Sequence, residues 1–83
     1  MKILLSVLLF VSFLFASVDI NNANQKEFSS LKGVGDKKAS DIIAFRKANG
    51  CFKSIDDLVK VKGIGKKTLE KNRENLTLGQ CLN

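Results

Sequence analysis

A seven-residue phrase occurs twice in this chain at a fixed offset. Leu31-Lys32-Gly33-Val34-Gly35-Asp36-Lys37 returns as Val61-Lys62-Gly63-Ile64-Gly65-Lys66-Lys67, thirty residues later at every position. Between Phe28–Ala39 and Leu58–Leu69, four of twelve positions are identical and four more pair apolar with apolar. Two copies are too few for a solenoid, which needs three or more units to bury its faces. The chain has 83 residues, enough for one small domain, and such domains need every apolar contact they can make. The repeat therefore predicts a pseudo-symmetric pair of helical hairpins sharing one core.

The local signals agree. Val18 to Asn22 reads as an extended lead-in, and Asn24 with Glu27 three residues later forms a capping-box pattern ahead of a short helix from Gln25 to Leu31. After the turn at Gly33-Val34-Gly35, a helix from Asp36 to Ala48 puts Ala39, Ile42, Ile43 and Arg46 on one stripe. Asn49-Gly50 is a C-terminal stop. The pattern then restarts: Ser54 and Asp57 resemble a second N-terminal box, Ile55, Leu58 and Val59 supply an apolar face, and Lys66 to Asn75 is the last helix. With no proline, Gly, Asn, Asp and Ser must make the turns. The expected fold class is all-α, a paired arrangement of short helices over residues 18–78.

Residues 1–17 have another character. Met1-Lys2 is a basic start, Ile3 to Phe15 is apolar except for Ser6 and Ser12, and Ala16-Ser17 offers small residues for a peptidase. Thirteen residues fall short of the roughly 20 needed to span a bilayer. The segment reads as a cleaved export signal, with an uncleaved inner-membrane anchor as the alternative. No cysteine follows the run, which argues against a lipoprotein signal. Loss of Lys2 with the signal leaves thirteen Lys and Arg against eight Asp and Glu, a net charge of +5. Such a balance favours an anionic partner: nucleic acid, lipid headgroups or acidic envelope polymers.

The turn carries the chemistry. Glycine admits positive φ and close approach of another surface, and glycines at a helix start leave N–H donors that attract anions along with the helix dipole. Val34 and Ile64, between the glycines, are expected to point inward. Lys37, Lys38, Lys66 and Lys67 fall in the first helical turn, where positive charge opposes the dipole. Their placement makes sense if a phosphate is the partner. A dinucleotide fingerprint fits poorly, because no strand precedes the glycines and no third glycine follows at the required spacing.

Taken together, Ile20-Asn21-Asn22-Ala23, Leu31-Lys32-Gly33-Val34-Gly35, Ile42-Ile43-Ala44-Phe45-Arg46, Asn49-Gly50-Cys51-Phe52-Lys53-Ser54, Asp57-Leu58 and Val61 to Glu70 resemble the helix-hairpin-helix domain of ComEA-type competence proteins. The resemblance covers Val18 to Leu78. It implies a paired helix-hairpin-helix domain that binds double-stranded DNA through its backbone, without reading sequence, in DNA uptake during natural transformation. By position, the DNA-binding set is Lys32, Gly33, Val34, Gly35, Lys37 and Lys38 in the first hairpin. In the second it is Lys62, Gly63, Ile64, Gly65, Lys66, Lys67 and Thr68. Some relatives hold a monovalent cation on loop carbonyls, a point the sequence leaves open; no other cofactor is implied. The implied setting is the periplasm, with an uptake channel and pilus machinery as further partners and membrane contact only through the signal before cleavage.

Three residues or pairs depart from the family pattern. Asp36 places a carboxylate where relatives tend to have proline or another uncharged residue, so the second hairpin, with Lys66 there, is expected to bind more strongly. Asn72 is polar where relatives usually carry an apolar residue, so the last helix is expected to be held weakly. Cys51 and Cys81 are the only cysteines. In an exported chain such a pair argues for a disulfide tying the tail, residues 79–83, to the junction between the hairpins. Two free thiols and an intermolecular link are the alternatives.

No catalytic centre is legible. There is no histidine, two cysteines alone make no zinc site, and Asp56-Asp57 are explained as helix-start residues. The aromatics beyond the signal, Phe28, Phe45 and Phe52, sit at apolar-patterned positions, which argues against base stacking. Two rival functions remain at this level: a docking module for a protein or anionic envelope surface, and an accessory piece of a secreted nuclease.

Overall fold

The computed structural model describes residues 17–81. In chain order these form strand β1 (Val18–Asp19), helices α1 (Gln25–Ser29) and α2 (Asp36–Asn49), a 3-10 helix over Ile55–Lys60, helix α3 (Lys66–Asn72), a 3-10 turn over Arg73–Asn75 and strand β2 (Leu76–Thr77). The expected signal segment, apart from Ser17, lies outside the described residues, as do the last two residues of the tail. Apart from one two-residue strand pair, the fold is all-α.

Local chemistry explains three of the helix ends. Asn24 Oδ1 accepts from the Glu27 N–H at 2.8 Å, and Glu27 Oε1 accepts from the Asn24 N–H at 3.0 Å, so the capping box is complete. Helix α1 ends at Ser29, two residues early, with the Ser30 hydroxyl donating to Glu27 O at 2.7 Å. Helix α2 stops where Gly50 takes φ 87°, a conformation that favours glycine.

The second unit departs from expectation. Ile55–Lys60 winds as a 3-10 helix, because six residues between two turns give an α-helix little room to propagate beyond its costly nucleus. Ser54 makes no side-chain cap bond; Asp57 Oδ2 accepts from the Lys53 N–H at 3.2 Å instead. Val59, expected on the apolar face, is 43% exposed. The last helix covers the expected span but tightens to 3-10 geometry at Arg73.

The core carries the repeat. Phe28, Leu31, Val34 and Ala39 are buried, and so are their counterparts Leu58, Val61, Ile64 and Leu69. Backbone bonds repeat as well: Leu31 N–H to Phe28 O and Val61 N–H to Leu58 O are both 3.1 Å. From 31 to 40 and from 61 to 70, the sequence of buried, half-buried and exposed residues is the same at every position.

Contacts outside the repeat close the molecule. β1 pairs in parallel with β2, Val18 opposite Leu76 and Asp19 opposite Thr77. Asn21 Nδ2 donates to Phe52 O at 3.1 Å and to Gly79 O at 2.9 Å, while its Oδ1 accepts from the Phe52 N–H at 2.7 Å. Arg46 spans from α2 to Ile20 O at 3.0 Å and Ala23 O at 2.9 Å, with its guanidinium over the Phe28 ring. Cys51 and Cys81 form a disulfide with Cα atoms 5.6 Å apart, the usual separation. Of the three states left open for the cysteines, the structure has the intramolecular bridge.

Candidate nucleic-acid interface

Each hairpin loop uses its two glycines differently. Gly33 and Gly63 have φ of 75° and 94°, so the first glycine of each phrase makes a turn that an L side chain resists. Gly35 and Gly65 have ordinary φ of −92° and −96° and serve as helix N-caps. Among the described residues, no atom lies within 4 Å of a Cβ built on either. Neither backbone geometry nor internal packing therefore asks for glycine at 35 or 65. A glycine there leaves the loop surface flat and open to something approaching from outside.

Between the glycines, Val34 and Ile64 are buried, as expected, and their N–H groups are already used on Leu31 O at 3.1 Å and Val61 O at 3.0 Å. They shape the loop from within. The donors left over from the turn lie one step later. The α-helical ladders begin with Ala39 N–H on Gly35 O at 2.9 Å and Leu69 N–H on Gly65 O at 3.0 Å, so the amides ahead of them have no carbonyl of their own helix at that spacing.

The two loops share a surface through reciprocal packing. A Cβ on Gly33 would sit 3.8 Å from the Thr68 side chain, and one on Gly63 would sit 3.6 Å from the Lys38 stem. Residues 38 and 68 are themselves counterparts in the repeat, so each hairpin packs its third helical residue against the other's first glycine. A groove of about 590 Å³ beside α2 is lined by Lys37, Lys38, Lys62 and Gly63 together with Ala44 and Phe45. Lysines of both hairpins thus meet in one groove, beside the carboxylate of Asp41.

Charge is distributed unevenly between the hairpins. Lys32, Lys37, Lys62, Lys66 and Lys67 are exposed, and Lys38 and Thr68 are half-buried. In hairpin 1, Lys37 pairs with Asp41 at 3.2 Å, Asp36 opens the helix, and the Lys38 ammonium donates to Gly33 O at 3.4 Å. A positive charge therefore already stands on a loop carbonyl there. In hairpin 2, Lys62, Lys66 and Lys67 make no salt bridge among the described residues. The nearby acids are drawn to Arg73, which reaches Glu70 at 2.6 Å and Asp56 at 2.5 Å. The hydrogen bond from Arg73 holds the Glu70 carboxyl below its usual range, and the two acids raise the guanidinium in return.

Sequence reasoning missed the part played by Asn72. It is 2% exposed and bonds to the Lys32 backbone in both directions: Oδ1 accepts from Lys32 N–H at 2.8 Å and Nδ2 donates to Lys32 O at 2.9 Å. Nδ2 also donates to Thr68 O at 2.9 Å. The residue expected to weaken the last helix instead fastens it to the first hairpin. The available signal was its register, thirty residues after the buried Ile42. Phe28 and Phe52 are buried and Phe45 packs against the core, Phe45 and Phe52 stacking at 5.7 Å between centroids. Among the described residues, no three His, Cys, Asp or Glu side chains gather to hold a metal.

Fold and loop geometry together define a small double-hairpin module with two matching glycine turns, each beside exposed lysines. Residues 15–77 match the model of the helix-hairpin-helix motif, and the chain belongs to that family, as a ComEA-like member. It is 46% identical over 63 residues to ComE operon protein 1 of Bacillus subtilis, covering 76% of this chain and 31% of that one. An uncharacterized protein of Haemophilus influenzae is 45% identical over 60 residues, 71% of this chain and 54% of its own. Endonuclease/exonuclease/phosphatase family domain-containing protein 1 of Danio rerio is 43% identical over 56 residues, 68% of this chain but 10% of that protein. The chain thus spans about half or less of the length of these relatives.

Proposed function

We propose that this protein is exported and binds double-stranded DNA through its phosphates, without reading sequence, in support of DNA uptake during natural transformation. The observation that carries the reading is the pair Gly35 and Gly65, glycines that the fold does not require, repeated beside exposed lysines in both hairpins. A phosphate brought against those flat turns would meet outward amides at each helix start and the ammonium groups of Lys37, Lys66 and Lys67. Two such contacts on one rigid face bind a duplex backbone without contacting base edges. The likeness to ComE operon protein 1 supports the competence role; a periplasmic setting, removal of residues 1–17 and partners in the uptake channel and pilus machinery complete the proposal. The proposal includes no catalytic step and no cofactor.

The test is a titration of the oxidised protein lacking residues 1–17 with random-sequence duplex at several salt concentrations. Log affinity is expected to fall with log salt by about 0.9 per phosphate neutralised. The double variant Lys66→Glu, Lys67→Glu is expected to lose binding. The double variant Gly35→Ser, Gly65→Ser is expected to bind weakly while keeping its stability or gaining about a few tenths of a kcal/mol, because serine caps a helix at least as well as glycine. Serine variants that bind like the parent would remove the main support for the reading. Absence of duplex binding at low salt would leave the docking-module alternative, which Asp36 in the first loop favours.

A further inference from the structure

Hairpin 1 is held from behind by a device that hairpin 2 lacks among the described residues. Asn72 and Ile42 occupy equivalent positions in the repeat, and both are buried. Ile42 can only fill space. Asn72 makes a two-way amide pairing with the Lys32 backbone, across forty residues of sequence, at the residue just before the positive-φ turn at Gly33. One turn earlier on the same helix, Thr68 packs against Gly33 itself. Both hydrogens of the Asn72 amide are used, on Lys32 O and Thr68 O, and no buried side-chain polar atom among the described residues lacks a partner.

We propose that Asn72 is a positioning residue for DNA binding: it fixes the first hairpin at a set distance and angle from the second, so that both engage the same duplex at once. The proposal rests on the phosphate-binding reading above. Its physical content is effective concentration. When one hairpin is docked, the second contact is intramolecular only if the two loops already stand at the right spacing, and a loop free to shift relative to α3 loses that advantage. A buried, fully paired amide specifies one arrangement, because any shift of the loop leaves polar groups unpaired. An apolar side chain of the same size would bury as well and tolerate several arrangements. Leucine or isoleucine at 72 would thus restore the symmetry of the core while releasing the first loop.

The test is a double-mutant cycle in duplex binding, with thermal melts run in parallel. Asn72→Leu is expected to fold and to lose the contribution of hairpin 1. Its salt slope should become shallower by about 0.9 for each phosphate that hairpin 1 no longer holds. Adding Lys37→Gln and Lys38→Gln in that background should then cost no further affinity, whereas adding Lys66→Gln and Lys67→Gln should cost as much as it does in the parent. Asn72→Asp provides a second route that does not depend on the leucine variant folding. As a carboxylate it faces two carbonyl oxygens and should uncouple the hairpins near neutral pH. Once protonated it can again accept from Lys32 N–H and donate to Lys32 O, so coupling to Lys37 and Lys38 should return as pH falls. Additive losses with both lysine pairs, or an Asn72→Leu variant with parental affinity and salt slope, would overturn the positioning role alone. A parent protein that binds no duplex would overturn the function and this inference with it.

Discussion

Hairpin 1 and hairpin 2 bury the same positions and close the same backbone bonds, yet their surroundings differ in two respects. Hairpin 1 leads into a fourteen-residue helix and is fastened through Asn72, but it carries Asp36 in its first helical turn and spends Lys37 on Asp41. Hairpin 2 leads into a seven-residue helix and has no such clamp among the described residues, but it presents Lys66 and Lys67 with no salt bridge. Support is concentrated on one hairpin and charge on the other. Core residues answer to packing and repeat; loop residues answer to whatever the loop meets, and these have diverged.

Exchanging the charges tests that division most strongly. Near 0.1 M salt, one phosphate contact is worth about tenfold in affinity through counterion release. Lys66→Asp should therefore weaken duplex binding by about tenfold or more, and Asp36→Lys should strengthen it, both measured at one salt concentration. If neither substitution changes affinity, the two hairpins do not differ in charge contact and the comparison fails.

A smaller effect tests their likeness. Gly33→Ala and Gly63→Ala each place a side chain at positive φ, where strain costs about 1–2 kcal/mol, while the added Cβ meets only ordinary contacts at 3.8 Å and 3.6 Å. Denaturant midpoints should fall by similar amounts in both variants. A loss much larger at 33 would mean that the Asn72 clamp makes the first loop less able to relax, which sharpens the comparison.

What was legible in the sequence follows the same division. Four buried pairs, the capping box at Asn24 and the stop at Gly50 are local or periodic signals, and the structure has each of them. The 3-10 winding of Ile55–Lys60 was not legible, because Ile55, Leu58 and Val59 look alike to an α-helical period whether or not the segment has room to propagate. The pairing of Val18 with Leu76 was not legible either, since two-residue strands 58 residues apart leave no alternation to read. At the site, glycine type was visible but glycine use was not: only the folded backbone separates the positive-φ turn at 33 from the open cap at 35. Asn72 was read by polarity alone, and its partner, a backbone pair forty residues away, has no side-chain signature.

The smallest effect concerns the region that belongs to neither hairpin. Asp19 accepts from Asn22 Nδ2 at 2.8 Å, from Asn21 N–H at 2.9 Å and from Gly79 N–H at 2.9 Å. These bonds, the Asn22 amide first, hold its carboxyl below the ordinary value of 3.8. A carboxylate with a depressed folded-state pKa contributes stability that is complete above the unfolded pKa and lost as pH falls through the folded one. Acidification below about pH 4 should therefore loosen the Gly79 end of the tail, read as faster amide exchange at Gly79, while the disulfide at Cys81 keeps the chain tethered. Amide exchange at Lys32, bonded to the uncharged Asn72, should not change over the same range. Simultaneous loosening at Gly79 and Lys32 would mean that the tail and the first hairpin form one cooperative unit, and that the clamp is supported by the tail as well as by α3.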